Sequence, residues 1–252
     1  MNKALKKFAE LLGEQKVVIA NEEEVLTAPS EGYQLAKTIY KNREVLVPLL
    51  CRMAIGINKK ERPICHALEL QGEMMLVKQF VKNIVGQFLD NLKEKKYVAK
   101  WTVNDANQYE IEATDTPERQ RFLRSGWAEQ VFRHIIMKTV QSFCASHQLS
   151  AKAFQNVELK QDGCANLLTE LDLVVQVRDR FYVFEIKSGP WIRIMQWAKR
   201  ENLLQGRNVR VVVCTVHENI PAYIFEPQIL MNLNSIEDGL ETMLKEDFHV
   251  GG

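Results

Sequence analysis

The sequence predicts an α/β fold of the α+β type, with a mixed sheet and a smaller amino-terminal domain ahead of it. Three observations predict it. Residues 169–188, TELDLVVQVRDRFYVFEIKS, read as two apolar strands joined by a tight polar turn. Residues 208–216, NVRVVVCTV, read as a buried-type strand that follows a stretch of helical periodicity. A strand, a helix and a further strand imply a right-handed crossover to a parallel neighbour. Upstream, a long amphipathic helix is followed by two short strand-like runs.

Taken in order, the chain begins with MNKALKKFAELLG, which reads as an amphipathic helix and not as a signal peptide. Lys16 to Ala20 reads as a strand, and Glu44 to Met53 as a further apolar segment. Met74 to Lys93 carries Val77, Phe80, Val81, Ile84 and Phe88 at helical spacing. Tyr97 to Thr102 and Asn107 to Glu112 read as strands joined at Asn104-Asp105-Ala106. A helix followed by a β-ribbon is how a winged-helix module ends. Gly126 to Ala145 is a helix with Trp127, Val131, Ile135 and Phe143 along one side. Asn156 to Lys160 reads as a strand. Gly189-Pro190 ends the second hairpin strand, because proline cannot continue a ladder. Residues 191–205 read as a helix, Gly206 stops it, and Ala222 to Glu226 is a short strand. These elements divide the chain into an amino-terminal domain at 1–115 and a second domain at 116–252.

Composition bounds the function classes. The chain has 252 residues, 46% of them hydrophobic, enough for a sizeable core. Its apolar runs are far too short for a membrane span. The five cysteines lack any C-x-x-C spacing, which points to reduced thiols in a cytoplasmic setting. Cys65-His66 reads as a packed thiol beside a histidine. The net charge of +1 says little by itself. Its distribution says more. Between Arg178 and Arg210 eight basic residues face three acids, a local surplus of five. Phosphate backbones are drawn to such patches.

The hairpin carries the chemistry. With Arg178-Asp179 as a two-residue turn, Val177 pairs with Arg180. The same register sets Asp172 opposite Glu185 and Glu170 opposite Lys187. Side chains alternate along a strand, so these four share one face. Leu171, Leu173, Val175 and Val177 then share the other face with Ile186, Phe184 and Tyr182. Opposed residues have Cβ atoms roughly 4.5–5.5 Å apart. Two carboxylates that close repel unless a positive charge intervenes, and a divalent cation suits carboxylate oxygens. The alternative is a set of ordinary cross-strand ion pairs on a solvated face. The nearly continuous apolar runs argue instead for a sheet covered on both sides.

The spacing of Asp172 and Glu185-Ile186-Lys187 resembles the active-site signature of the PD-(D/E)xK nuclease superfamily, whose restriction-endonuclease-like core runs αβββαβ. The resemblance implies Asp172 and Glu185 as ligands for Mg²⁺ or Mn²⁺ and Lys187 as the catalytic lysine. Leu171-Asp172 stands where that signature has proline-aspartate. A narrower resemblance lies upstream, where Arg121 to Glu129 reads RFLRSGWAE. It is similar to the segment opening the nuclease half of CRISPR-associated CARF–nuclease effectors, with Ala128 in place of leucine. That resemblance implies Glu129 as a further metal ligand; the alternative is a first-turn acid favoured by the helix dipole. It covers roughly residues 75–230. The segment ahead of the winged-helix-like module is too short for a complete CARF sensor. The chain thus reads as a stand-alone or truncated relative, without implied activation by a cyclic oligonucleotide.

Around this motif, Glu170 either holds Lys187 as an ion pair or joins the metal through water. Gln196 and Arg193, on the helix after Glu-x-Lys, are candidates to support the site. Arg193, Lys199, Arg200 and Trp191 are the nucleic-acid-binding candidates; Trp197 reads as core. The function predicted is a metal-dependent endonuclease acting on DNA or RNA in a defence or mobile-element setting. The alternative is a catalytically silent nuclease fold that binds nucleic acid or serves as a scaffold. A homodimer is compatible with it, since cutting a duplex on both strands needs two sites.

Overall fold

The protein is described from a computed structural model covering residues 3–11, 17–24, 31–60, 64–67, 75–105, 108–161, 167–188, 208–216 and 229–249. The chain forms two compact units. One comprises residues 1–29 with 132–252, the other residues 30–131. The first 29 residues therefore fall with the carboxy-terminal half, whereas the sequence reading placed them in a domain ending at 115.

The larger unit is built on a six-stranded sheet in the order β1-β5-β6-β7-β8-β9. Its strands are β1 (Val17–Glu24), β5 (Ala151–Gln161), β6 (Leu167–Val177), β7 (Arg180–Lys187), β8 (Val209–Thr215) and β9 (Ile229–Asn232). Strands β1, β5, β6 and β7 run antiparallel in succession, while β7, β8 and β9 run parallel. The sheet is mixed, as the strand–helix–strand pattern predicted. The β6–β7 hairpin has the expected register, with Val177 opposite Arg180 and Leu173 opposite Phe184. Arg178 takes a left-handed conformation in its turn, φ 54°.

Both faces of this sheet are covered. Helix α1 (Lys3–Leu11) packs on one, where Ala4, Leu5 and Phe8 join Phe154, Val174, Phe181, Val183 and Val209. The rings of Phe8 and Phe181 lie 5.2 Å apart. The other face carries the buried Leu173, Val175, Tyr182 and Phe184. Helix α7 (Ile236–Phe248) meets that side, and Lys138 of α6 (Trp127–Ser146) bonds Glu237 of α7 at 3.1 Å.

One expectation of the hairpin reading does not hold. Leu171 belongs with Val174, Phe181 and Val183, not with Leu173 and Val175. The neighbouring strand shows the same break, for Phe154 shares this cluster with Val157 and Leu159. The reason is a local departure from extended backbone. Asn156 has φ 52° and lies between the pairs Gln155–Leu173 and Val157–Leu171, across from Asp172.

The smaller unit contains α2 (Glu31–Lys41), α3 (Arg43–Asn58), β2 (Ile64–Ala67), α4 (Met75–Glu94), β3 (Val98–Val103) and β4 (Gln108–Ala113). The predicted helix and ribbon are present, and β2 adds a third strand, giving the order β2-β4-β3. Glu44 to Met53, read only as an apolar segment, lies within α3. Trp101 donates to Asp90 at 3.0 Å, which ties β3 to α4. A short helix α5 (Pro117–Arg121) and a π-helical turn (Phe122–Gly126) then lead into α6, so RFLRSGWAE spans an irregular helix entry. Leu123 and Trp127 are fully buried there. The predicted helix at 191–205 and strand at 222–226 lie outside the described residues.

Candidate active site

The candidate site sits at the carboxyl end of the parallel pair β7–β8, where ligands of open α/β sheets characteristically bind. Strand β7 ends at Lys187, paired with Thr215, the last residue of β8. The alternation that buries Phe181 and Val183 carries Glu185 and Lys187 on the same face one and two steps further. Glu185 and Thr215 are buried.

The regular β6–β7 pairing runs only to Leu173–Phe184. One step beyond, Asp172 Oδ2 accepts the backbone N–H of Ile186 at 2.6 Å. A side-chain carboxylate thus acts where a strand carbonyl would otherwise serve. Lys187 Nζ lies 3.8 Å from Asp172 Oδ2 and donates to Glu185 Oε1. The side chains of Asp172, Glu185 and Lys187 are 20%, 3% and 29% exposed, so the trio forms a largely buried polar centre with one side toward solvent. Two carboxylates and one ammonium leave the trio with a single net negative charge. Cys214, the β8 neighbour of Ile186, senses it. Burial pushes the Cys214 thiol well up, and the charges of Asp172 and Glu185 push it further.

The other predicted site residues fall differently. Glu170 is exposed and lies directly across from Glu158 on β5, while the ion pairs of Lys187 go to Glu185 and Asp172. The hairpin pairing stops before it would bring Glu170 to Lys187. Glu129 stands half-buried in the first turn of α6, within the other compact unit. Trp191, Arg193, Gln196, Lys199 and Arg200 lie outside the described residues. Among the described residues no three acidic, histidine or cysteine side chains converge as a metal cluster. The donors nevertheless suit a hard divalent cation. Mg²⁺ is commonly held by one or two carboxylates, with waters and substrate phosphate completing its shell.

At the other end of the same strands lies a polar cluster that the sequence reading missed. Asp247, buried in the last turn of α7, accepts from Tyr182 Oη at 2.9 Å, from Arg180 at 2.9 Å and from Arg210 at 2.5 Å. Two guanidiniums offset an acid placed unfavourably at the negative end of a helix dipole. Burial and the Asp247 carboxylate together push the Tyr182 phenol far above its ordinary range. The signal was present: Ile236, Leu240, Met243, Leu244 and Asp247 fall on one helical stripe, with an acid in an apolar position.

Two solved structures are similar to this chain in fold. The fold is that of VC1899 and Can2. VC1899 from Vibrio cholerae superposes with a TM-score of 0.55 at 17% identity, over 97% of this chain and 62% of that one. Can2 from Sulfobacillus thermosulfidooxidans, solved in complex with cyclic tetra-adenylate, superposes with a TM-score of 0.55 at 12% identity, over 94% of this chain and 57% of that one. The chain thus spans about three-fifths of the length of each. No family model and no curated protein matches it. Among the described residues no helix is long and apolar enough to cross a membrane.

Proposed function

We propose that the protein is a metal-dependent nuclease of the PD-(D/E)xK type, hydrolysing phosphodiester bonds of DNA or RNA in a CRISPR-associated or related defence setting in the cytoplasm. The observation that carries this reading is the meeting of Asp172, Glu185 and Lys187 at the carboxyl end of a mixed sheet. The fold shared with VC1899 and Can2 supports it.

Asp172 and Glu185 would hold Mg²⁺ or Mn²⁺. A bound divalent ion of this kind lowers the pKa of water and neutralises charge on a phosphoryl oxygen. The chain's own residues do the rest. Burial of Glu185 keeps its carboxylate in a low-dielectric setting, where interactions with charge are strong. The Ile186 amide fixes the Asp172 carboxylate against the strand. Lys187, held between the two acids, presents an ammonium that stabilises developing negative charge on the phosphate or orients the attacking water. Its side chain stays 29% exposed, so the ammonium remains accessible from solvent. Arg193, Lys199, Arg200 and Trp191 remain the proposed contacts to the nucleic acid, with Gln196 in support of the site.

The test is incubation with supercoiled plasmid, single-stranded DNA and RNA in Mg²⁺, Mn²⁺ or EDTA, with Glu185→Ala in parallel. Cleavage that requires metal and disappears in the variant supports the reading and identifies the substrate class. Cleavage that persists in EDTA or in Glu185→Ala refutes it.

A further inference from the structure

We propose that Asn156 is a positioning residue for Asp172, turning β5 so that the carboxylate across from it lies along the sheet and reaches the Ile186 amide. The inference deepens the nuclease reading, since it concerns the ligand carboxylate of that site. Asn156 is left-handed at φ 52°, inside a strand otherwise extended on both sides. Asparagine tolerates this conformation better than most residues, and β-branched residues hardly at all. Toward β6 the pairs on either side, Gln155–Leu173 and Val157–Leu171, keep a single register, whereas toward β1 the register shifts across Asn156, between the pairs Asn21–Glu158 and Glu23–Gln155. Side-chain direction changes there too. Phe154 and Val157 share one buried cluster, and so do Val174 and Leu171 on the facing strand.

Asp172 lies within that interruption on β6. In an unbroken strand its side chain would stand roughly perpendicular to the sheet. Instead it accepts a backbone N–H from the adjacent strand, in a direction that regular alternation does not offer. Local irregularities of this sort recur beside active sites, where they re-aim a side chain. The break on β5 and the in-plane carboxylate on β6 are thus two sides of one distortion. Asn156 is the residue whose backbone makes that distortion possible.

The test reads the Ile186 amide directly by hydrogen exchange of the full chain, alongside Mn²⁺ titration. The variants are Asn156→Gly, which keeps the left-handed conformation accessible, and Asn156→Val, which opposes it. Gln148→Val serves as control, since Gln148 is equally left-handed at φ 53° but follows α6. In Asn156→Val the exchange of Ile186 rises about tenfold or more, as loss of one charge-assisted hydrogen bond implies, and Mn²⁺ binding weakens. Asn156→Gly and Gln148→Val leave both at wild-type values. Should Asn156→Val fail to fold, Asn156→Ala imposes a milder form of the same strain and is read the same way. Unchanged protection of Ile186 in the valine and alanine variants overturns the proposal, as does an equal rise in Gln148→Val. A wild type that takes up no Mn²⁺ refutes the metal reading, and the exchange comparison alone then decides the role of Asn156.

Discussion

Asp172 Oδ2 accepts the backbone amide of Ile186 at 2.6 Å, one step past the last regular pair of the hairpin, Leu173 with Phe184. The bond joins the two halves of the signature through the main chain, so the position of Glu185 and Lys187 relative to Asp172 does not depend on side-chain chance. A carboxylate that serves as both a structural acceptor and a charge separates under mutation into two effects. Asp172→Asn retains an acceptor for the amide and removes the charge. It should keep nearly wild-type thermal stability while losing Mn²⁺ binding and cleavage. Asp172→Ala should lose all three. Thermal melting and calorimetric titration of both variants distinguish these outcomes.

Lys187 donates to Glu185 and sits within ion-pair distance of Asp172. Its removal should leave metal binding intact, or even tighter, because two carboxylates are relieved of a competing cation. Turnover should fall about a hundredfold or more, the usual effect of removing one donor to a developing charge. Single-turnover cleavage by Lys187→Ala at saturating Mn²⁺ is the measurement. Undiminished cleavage would remove the lysine from the mechanism.

Asp247 bonds three donors from β7 and β8 while almost wholly buried. Asp247→Ala strands the Tyr182 hydroxyl and two arginines, and should destabilise the larger unit by about 3 kcal/mol. That is the low end for a broken buried pair, because Arg180 and Arg210 still reach water. Denaturant unfolding gives the value. The site trio lies at the opposite strand ends, so Mn²⁺ affinity should not change.

The raised Tyr182 phenol gives a pH dependence with a definite sign. An unfolded tyrosine ionises near pH ~10, while the folded one holds its proton to higher pH. The stabilisation is therefore complete below pH ~10 and is lost progressively above it, as the unfolded state gives up a proton that the folded state keeps. Tyr182→Phe should flatten that alkaline fall. A wild type and variant with parallel stability profiles between pH 9 and 11 (about one unit either side of the unfolded value) would contradict the assignment.

The sequence revealed the hairpin register because a two-residue turn and two apolar faces leave little freedom to slip. It placed Asp172, Glu185 and Lys187 within a few residues of one another along paired strands, which is a local relation. Glu170 was misplaced in relation to Lys187 because regular pairing was extended past the point where Asp172 leaves it. The break at Asn156 was invisible, since nothing in AFQNVEL announces a left-handed residue inside a strand. Strand β1 was recognised as a strand, but its partner β5 lies far along the chain and no local pattern names it. Asp247 went unread for a different reason: its partners Tyr182 and Arg210 come from two other elements, and only their folding together explains a buried acid.

Helix α1 and strand β1 are synthesised well before their partners, for Phe8 packs on Phe181 and β1 on β5. At ordinary translation rates the wait for those partners is on the order of ten seconds. The whole of residues 30–131 emerges in that interval and can close on itself as a separate unit. Until then the strands that bury Leu5 and Phe8, β5 to β8, have not all been made. For this segment the order of birth and the order of assembly run opposite to each other.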